Sequence, residues 1–168
     1  MKLLIEKVQN LRSLYIDQAR VLLWTEEQIV DGLDKMADAA TDEQLQRAFQ
    51  SHREESRVHI TRLERILNHT AGEAAEKKCK AISGLIAEGK ELIQECDGTL
   101  RDVALITAAQ RIEHYEIAAY GALRNFAQTL GLEGDAEALN QTLQEEGDAD
   151  QLLTGISDRL NHAAALLP

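Results

Sequence analysis

The stretch from Arg101 to Leu130 reads RDVALITAAQRIEHYEIAAYGALRNFAQTL. Val103, Leu105, Ile106, Ala109, Ile112, Ile117, Leu123, Phe126, Ala127 and Leu130, with further alanines between them, spread over nearly the whole circumference of a helix. A helix apolar on most sides is a central, buried one. Yet its middle carries two carboxylates, Glu113 and Glu116, three residues apart with His114 between them. Such a helix needs partners on several sides, and those partners must tolerate acids at mid-height.

The neighbouring segments supply the partners. After Gly131, Asp135 is expected to cap a last helix with the stripe Leu139, Leu143, Glu146, Asp150, Leu153, Ile156 or Ser157, and Leu160. Upstream, Asp97-Gly98 breaks the chain, and Thr99 is placed to cap the central helix with Asp102 three positions on. A shorter helix is expected from about Ala74 to Glu95, one-sided, with Ile82, Leu85, Ile86, Leu92 and Ile93 among lysines and glutamates. The first helix is read from about Leu3 to Ala39, with Tyr15, Ala19, Leu22, Glu26, Ile29, Leu33 and Met36 on one face. Thr41 and Gln44 form a candidate capping box for the second, whose stripe is Leu45, Phe49, His52, Ser56, His59, Leu63 and Ile66, ending near His69 with Gly72 as the stop.

The fold class is therefore all-α: four long helices as two antiparallel hairpins, with a shorter helix joining the second and third. A long connection there allows the single-crossover, ferritin-like four-helix bundle, and an up-down-up-down bundle stays open because periodicity does not fix connectivity. Nothing in residues 1–168 divides the chain, so one domain is expected. Proline occurs once, at Pro168, which leaves helices few breakers. Aromatics are only 4% of the chain, so the core must be aliphatic.

Charge narrows the function. Lys and Arg number 18 against 29 Asp and Glu, a net charge of −11. Such a surface repels nucleic acids and anionic membranes and favours cations. No apolar run approaches the ~18 residues of a membrane span, and Met1 to Glu6 is too short in apolar residues for a signal sequence. Cys79 and Cys96 show no metal or redox spacing and read as reduced. A cytoplasmic protein is expected. No phosphate loop or serine-base motif is present, and Glu145 to Asp150 does not follow a calcium-loop order.

The informative feature is where the apolar stripes fail. Each long helix carries acid at or beside a core position near its middle: Glu26 in the first; Glu55 beside the stripe and His59 on it in the second; Glu113 and Glu116 in the third; Glu146 and Asp150 in the fourth. An unpaired buried carboxylate costs several kcal/mol, and a whole domain is stable by only about 5–15 kcal/mol. Six such acids need protons, solvent or a cation. Arg57, Arg62 and Arg111 sit mostly off these faces. One or two dications are the simplest compensation, and carboxylates with one or two imidazoles suit iron or manganese. The candidate ligands are Glu26, Glu55, His59, Glu113, Glu116, Glu146 and Asp150. His52 and His114 read as core or orienting histidines, His69 and His162 as solvated, and Tyr15, Trp24, Tyr115 and Tyr120 as packing residues.

The same residues resemble a known family. Arg101 to Asp150, TEEQI at Thr25 to Ile29, AFQSHREESRVHITRLERI at Ala48 to Ile66 and above all IEHYEIAAYG at Ile112 to Gly121 are similar to the bacterial ferritin-like stress proteins typified by YciF and YciE. The resemblance covers nearly the whole chain. It implies a ferritin-like bundle, a homodimer, and kinship with rubrerythrin-type di-iron proteins. By that resemblance Glu26 matches the first-helix acid, Glu113 and Glu116 the paired acids of the third helix, and Glu146 the bridging acid of the fourth. Two departures stand out: Arg57 occupies the place of a histidine three after Glu54, while Glu55 and His59 are four apart; and Asp150 replaces an expected histidine. Two functions stay open. One is a stress protein with a dinuclear iron or manganese site, about two ions per chain, oxidising ferrous iron or removing peroxide. The other is a metal-free dimeric bundle with a hydrated polar core, acting as an interaction or structural protein.

Overall fold

The computed structural model describes residues 8–167. Five helices follow one another: α1 (Leu11–Ala39), α2 (Glu43–Ala71), α3 (Lys80–Glu95), α4 (Gly98–Thr129) and α5 (Glu133–Ala164). Asn10 opens α1 with a capping box: its side chain accepts from the Ser13 amide at 2.8 Å, and the Ser13 hydroxyl accepts from the Asn10 amide at 3.1 Å. α1 thus begins at Leu11; of the longer helix expected from Leu3, residues 3–7 lie outside the described residues. Gly72 closes α2 in the left-handed region (φ 80°), as its position suggests.

Three caps differ from expectation, and in each a residue expected at or near the cap bonds a distant partner instead: Thr41, Asp102 and Asp135. Asp42 caps α2, accepting from the amides of Gln44 and Leu45 at 3.0 Å, and Thr41 does not. Thr41 is occupied by Asp102 of α4, which accepts from the Thr41 amide (2.7 Å), the Thr41 hydroxyl (2.6 Å) and the Asp42 amide (3.0 Å). Asp102 therefore serves the α1–α2 turn, and α4 starts at Gly98 without a side-chain cap. Asp135 lies inside the first turn of α5, after Leu132 at the cap position, and accepts from the Tyr15 hydroxyl at 2.8 Å. The third helix starts at Lys80, six residues later than the pattern suggested. Residues 72–79 instead run along α1, tied by the Lys77 amide to the Arg20 carbonyl (2.9 Å) and by Lys77 to Asp17 (2.6 Å).

These bonds fix the topology. The α1–α2 turn sits at the start of α4, so α1 and α4 are antiparallel and α2 and α4 parallel. Asp135 meets Tyr15 near the start of α1 and His69 at the end of α2, so α5 runs parallel to α1 and antiparallel to α2. All four adjacent pairs are antiparallel and α3 is the crossover, which decides for the single-crossover bundle over the up-down-up-down one. α3 lies mainly on α4, burying Ile82 fully. α4 is covered by α1, α3 and α5 but keeps one open flank, where His114, Ala118, Ala122 and Asn125 are exposed.

The core is split. One apolar cluster gathers Ile29, Leu33, Phe49, Ile82, Leu105, Ile106, Leu153 and Ile156 toward one end of the bundle. The other gathers Tyr15, Leu22, Leu63, Ile66, Tyr120, Leu123 and Leu139 toward the opposite end. The mid-height acids lie between them.

Candidate metal centre

Each long helix contributes to this middle layer through residues on its inward face. In α2, His52, Ser56 and His59 step by four and three and are all buried. In α4, Glu113 and Glu116 are buried, and α1 and α5 supply Glu26 and Glu146, both fully buried. Two groups of convergent ligand atoms result. His52, Glu113, Glu116 and Glu146 form one, and Glu26, His59 and Glu146 the other, with atoms inside each group within 4.8 Å of one another. Glu146 belongs to both.

The histidines are oriented in the same way. His52 turns Nδ1 to Glu55 (3.4 Å) and Nε2 inward, 3.3 Å from Glu113 and 3.5 Å from Glu146. His59 turns Nε2 to Glu145 (3.0 Å) and Nδ1 inward, 3.2 Å from Glu26 and 3.0 Å from Glu146. Glu145 is itself fixed by Arg62 through both of its oxygens, and Arg62 also donates to the Thr142 hydroxyl at 3.0 Å. In both rings a carboxylate outside the layer holds the outer nitrogen and leaves the inner one facing acids.

The inner atoms are close but not hydrogen-bonded. Both oxygens of Glu116 and Glu146, one oxygen each of Glu26 and Glu113, and the inward nitrogens of His52 and His59 are buried without a hydrogen-bond partner. Leaving one such group unsatisfied costs about 1–3 kcal/mol, more for a charged one. Donor atoms ~3 Å apart that do not bond each other match ligands arranged at ~2.0–2.2 Å around a common ion. A cation therefore fits this donor set, and four carboxylates with two imidazoles suit iron or manganese rather than a softer metal.

Protonation shows the same tension. Burial pushes the Glu116 carboxyl well above its ordinary range, and the charges of Glu146, Glu26 and Glu113 add to it. Burial also raises Glu146, to about 8, against the pull of His59. Burial works against the charge on His59, yet the close carboxylates of Glu146 and Glu26 push it up to about 10. His52 likewise rises despite burial, through Glu113, Glu55 and Glu146. Without a cation, protons neutralise the layer. The Tyr120 phenol is raised by burial and by its acidic neighbours, and its hydroxyl donates to Glu26.

Of the seven ligands expected from sequence, the structure brings together Glu26, His59, Glu113, Glu116 and Glu146. Glu55 and Asp150 are not among them. Glu55 lies one position off the buried face of α2, half exposed, and orients His52 from outside. Asp150 stands a turn beyond Glu146 at the flank, accepts from Gln110 at 3.0 Å and faces the exposed His114. His114 is thus neither core nor beside the layer. Sequence reasoning set His52 aside, although it lies on the same stripe as His59. It also missed Glu145 and Arg62, whose role depends on a contact between α2 and α5. The Glu54–Arg57 spacing is a surface ion pair at 2.7 Å. The inward pair three apart is Ser56 and His59, with a buried serine hydroxyl where a Glu-x-x-His pair would carry its acid. Tyr15 and Tyr120 do more than pack, since each hydroxyl bonds a buried acid.

Comparison with known proteins extends this picture. A family described as a domain of unknown function (DUF892) matches residues 10–166. The protein YciF of Escherichia coli K12 is 40% identical over 134 residues, which span 79% of this chain and 81% of that protein. The crystal structure of the E. coli stress protein YciF superposes with a TM-score of 0.88 at 34% identity, covering 92% of this chain and 99% of that one. YcfI from Rhodopseudomonas palustris, provisionally described as a structural protein, superposes at 0.87 with 33% identity over 90% of this chain and 98% of its own. A protein from Xanthomonas campestris shares the fold at a TM-score of 0.74 and 18% identity, over 93% and 96% of the two chains.

Proposed function

The chain belongs to the DUF892 family and is a YciF-like, ferritin-like helical-bundle protein, and from that premise we propose that it is a stress-response protein holding a dinuclear iron or manganese site in its middle layer. One observation carries this reading. Both buried histidines present a bare nitrogen to unpartnered carboxylates while an outer carboxylate fixes the other nitrogen, the arrangement found around metal-ligating imidazoles. His52, Glu113 and Glu116 would hold one ion, Glu26 and His59 the other, and Glu146 would bridge. When bound, a pair of redox-active ions supplies electrons to dioxygen or peroxide.

The chain's own residues do the rest. With an ion in place, Glu55 and Glu145 would hold the ring protons of His52 and His59 on the outer nitrogens and keep the inner nitrogens aimed, and Arg62 keeps Glu145 in place. The Tyr120 hydroxyl orients Glu26 and presents a proton at its oxygen. The apolar clusters above and below exclude water and strengthen every charge interaction inside the layer.

The test is metal content. Protein purified untagged under low oxygen and titrated with ferrous iron should hold about two ions per chain, and should then consume added peroxide. No metal as purified and no uptake on titration would refute the reading. A metal-free homodimeric bundle is favoured in that case, because protons on His52, His59, Glu116 and Glu146 neutralise the layer without an ion.

A further inference from the structure

Resting on the metal reading, we propose that divalent cations reach the layer through the cleft between α2 and α5, and that His52 receives them at its floor. The cleft has a volume of about 150 Å³. Its walls come from α2 and α5, and its floor is His52 and Glu113, two members of one ligand group. Glu55, Glu145 and Asp148 stand around it, and no Lys or Arg side chain lines it among the described residues.

The carboxylates differ in their availability. Glu145 is engaged by Arg62 and His59. Asp148 is exposed and makes no ion pair among the described residues, and Glu55 touches only the outer nitrogen of His52. Beneath them the His52 ring is more than nine-tenths buried, and its unpartnered Nε2 faces Glu113 and Glu146. An incoming hydrated ion therefore meets Asp148 and Glu55 first, then an imidazole, then the buried acids. At each stage a protein ligand replaces lost water, which keeps the desolvation cost low.

A second opening also reaches Glu113, between α1, α3 and α4. It has a volume of about 40 Å³, and its walls are formed by Ile29, Leu33, Ile86 and Ile112. Lys35 and Lys90 also line it, so a dication there would lose water against apolar walls and like charge, with no ligand in exchange until it touched Glu113. The acidic mouth instead concentrates cations, an effect that raises association rates by about 10–10³.

The experiment follows Mn²⁺ uptake by the metal-free, full-length protein in a stopped-flow instrument against a fluorescent chelator, with elemental analysis at equilibrium. Asp148→Lys should slow association about tenfold at low salt, with the difference shrinking as salt rises and the final metal content unchanged. Asp148→Asn, the milder change, should slow it several-fold in the same salt-dependent way. Ala149→Phe narrows the cleft without touching a carboxylate, and should slow association and dissociation equally, leaving Kd unchanged. If the wild type loads and these variants load at its rate, the route is wrong and the metal site stands. If the wild type takes up no Mn²⁺, the metal reading falls and the route with it.

Discussion

Buried carboxylates occur at two levels of this bundle, and they are treated in opposite ways. At the ends, Asp102 and Asp135 are almost fully buried, and each has its partners: the amides of Thr41 and Asp42 and the Thr41 hydroxyl for one, the Tyr15 hydroxyl and His69 for the other. In the middle, Glu26, Glu113, Glu116 and Glu146 are equally buried and largely without hydrogen bonds. The same chemical group is a structural tie where donors surround it and an unpartnered acceptor where acids surround it. Burial of an acid alone therefore says little about function; the inventory of its neighbours decides.

Mutations can break this contrast. The largest effect is expected from Glu146→Ala, because Glu146 belongs to both ligand groups. Metal affinity should fall by more than about 100-fold, since losing an outer partner alone costs about 10–100-fold; isothermal titration with Mn²⁺ reads it. Asp102→Ala should do the reverse. Metal content should persist while stability drops by about 2–4 kcal/mol, because buried donors of the α1–α2 turn lose their acceptor; urea unfolding measures it. Arg62→Ala, which frees Glu145 and through it His59, should weaken metal binding about 10–100-fold with little change in fold. Tyr15→Phe removes a single bond to Asp135 and should cost about 1 kcal/mol in the same urea assay.

The ends and the middle were also unequally legible from sequence. Helix number and the depth of Glu26, His59, Glu113, Glu116 and Glu146 follow from periodicity, which local geometry enforces, whereas the crossover role of the short helix is decided by bonds across the bundle. The caps do not, because they are set by bonds to residues far along the chain: Asp102 takes the amide and hydroxyl of Thr41 while Asp42 caps α2, and Asp135 sits inside the first turn of α5, bonded to Tyr15. Glu55 and Asp150 stood close to the stripes, where a rotation of one residue separates inside from flank. His52 lay on the stripe but resembled a core histidine until its inward nitrogen was seen without a partner. Arg62 and Glu145 meet across two helices 83 residues apart in sequence, a pairing that no local pattern announces.

The contrast has a pH dependence of definite sign. In the metal-free protein Glu146 is raised from 4.5 to about 8 and His59 from 6.5 to about 10. Groups whose folded pKa is raised stabilise the fold below their unfolded pKa and lose that contribution as pH climbs through the folded value. Metal-free stability should thus decline as pH rises. Metal binding requires the same groups deprotonated, so the stabilisation from bound metal should grow over the same range. The most direct measurement is the melting temperature between about pH 6 and 8.5, under argon, with and without saturating Mn²⁺. The account predicts a falling curve without metal and a gap between the two curves that widens with pH. Curves that coincide throughout would contradict it.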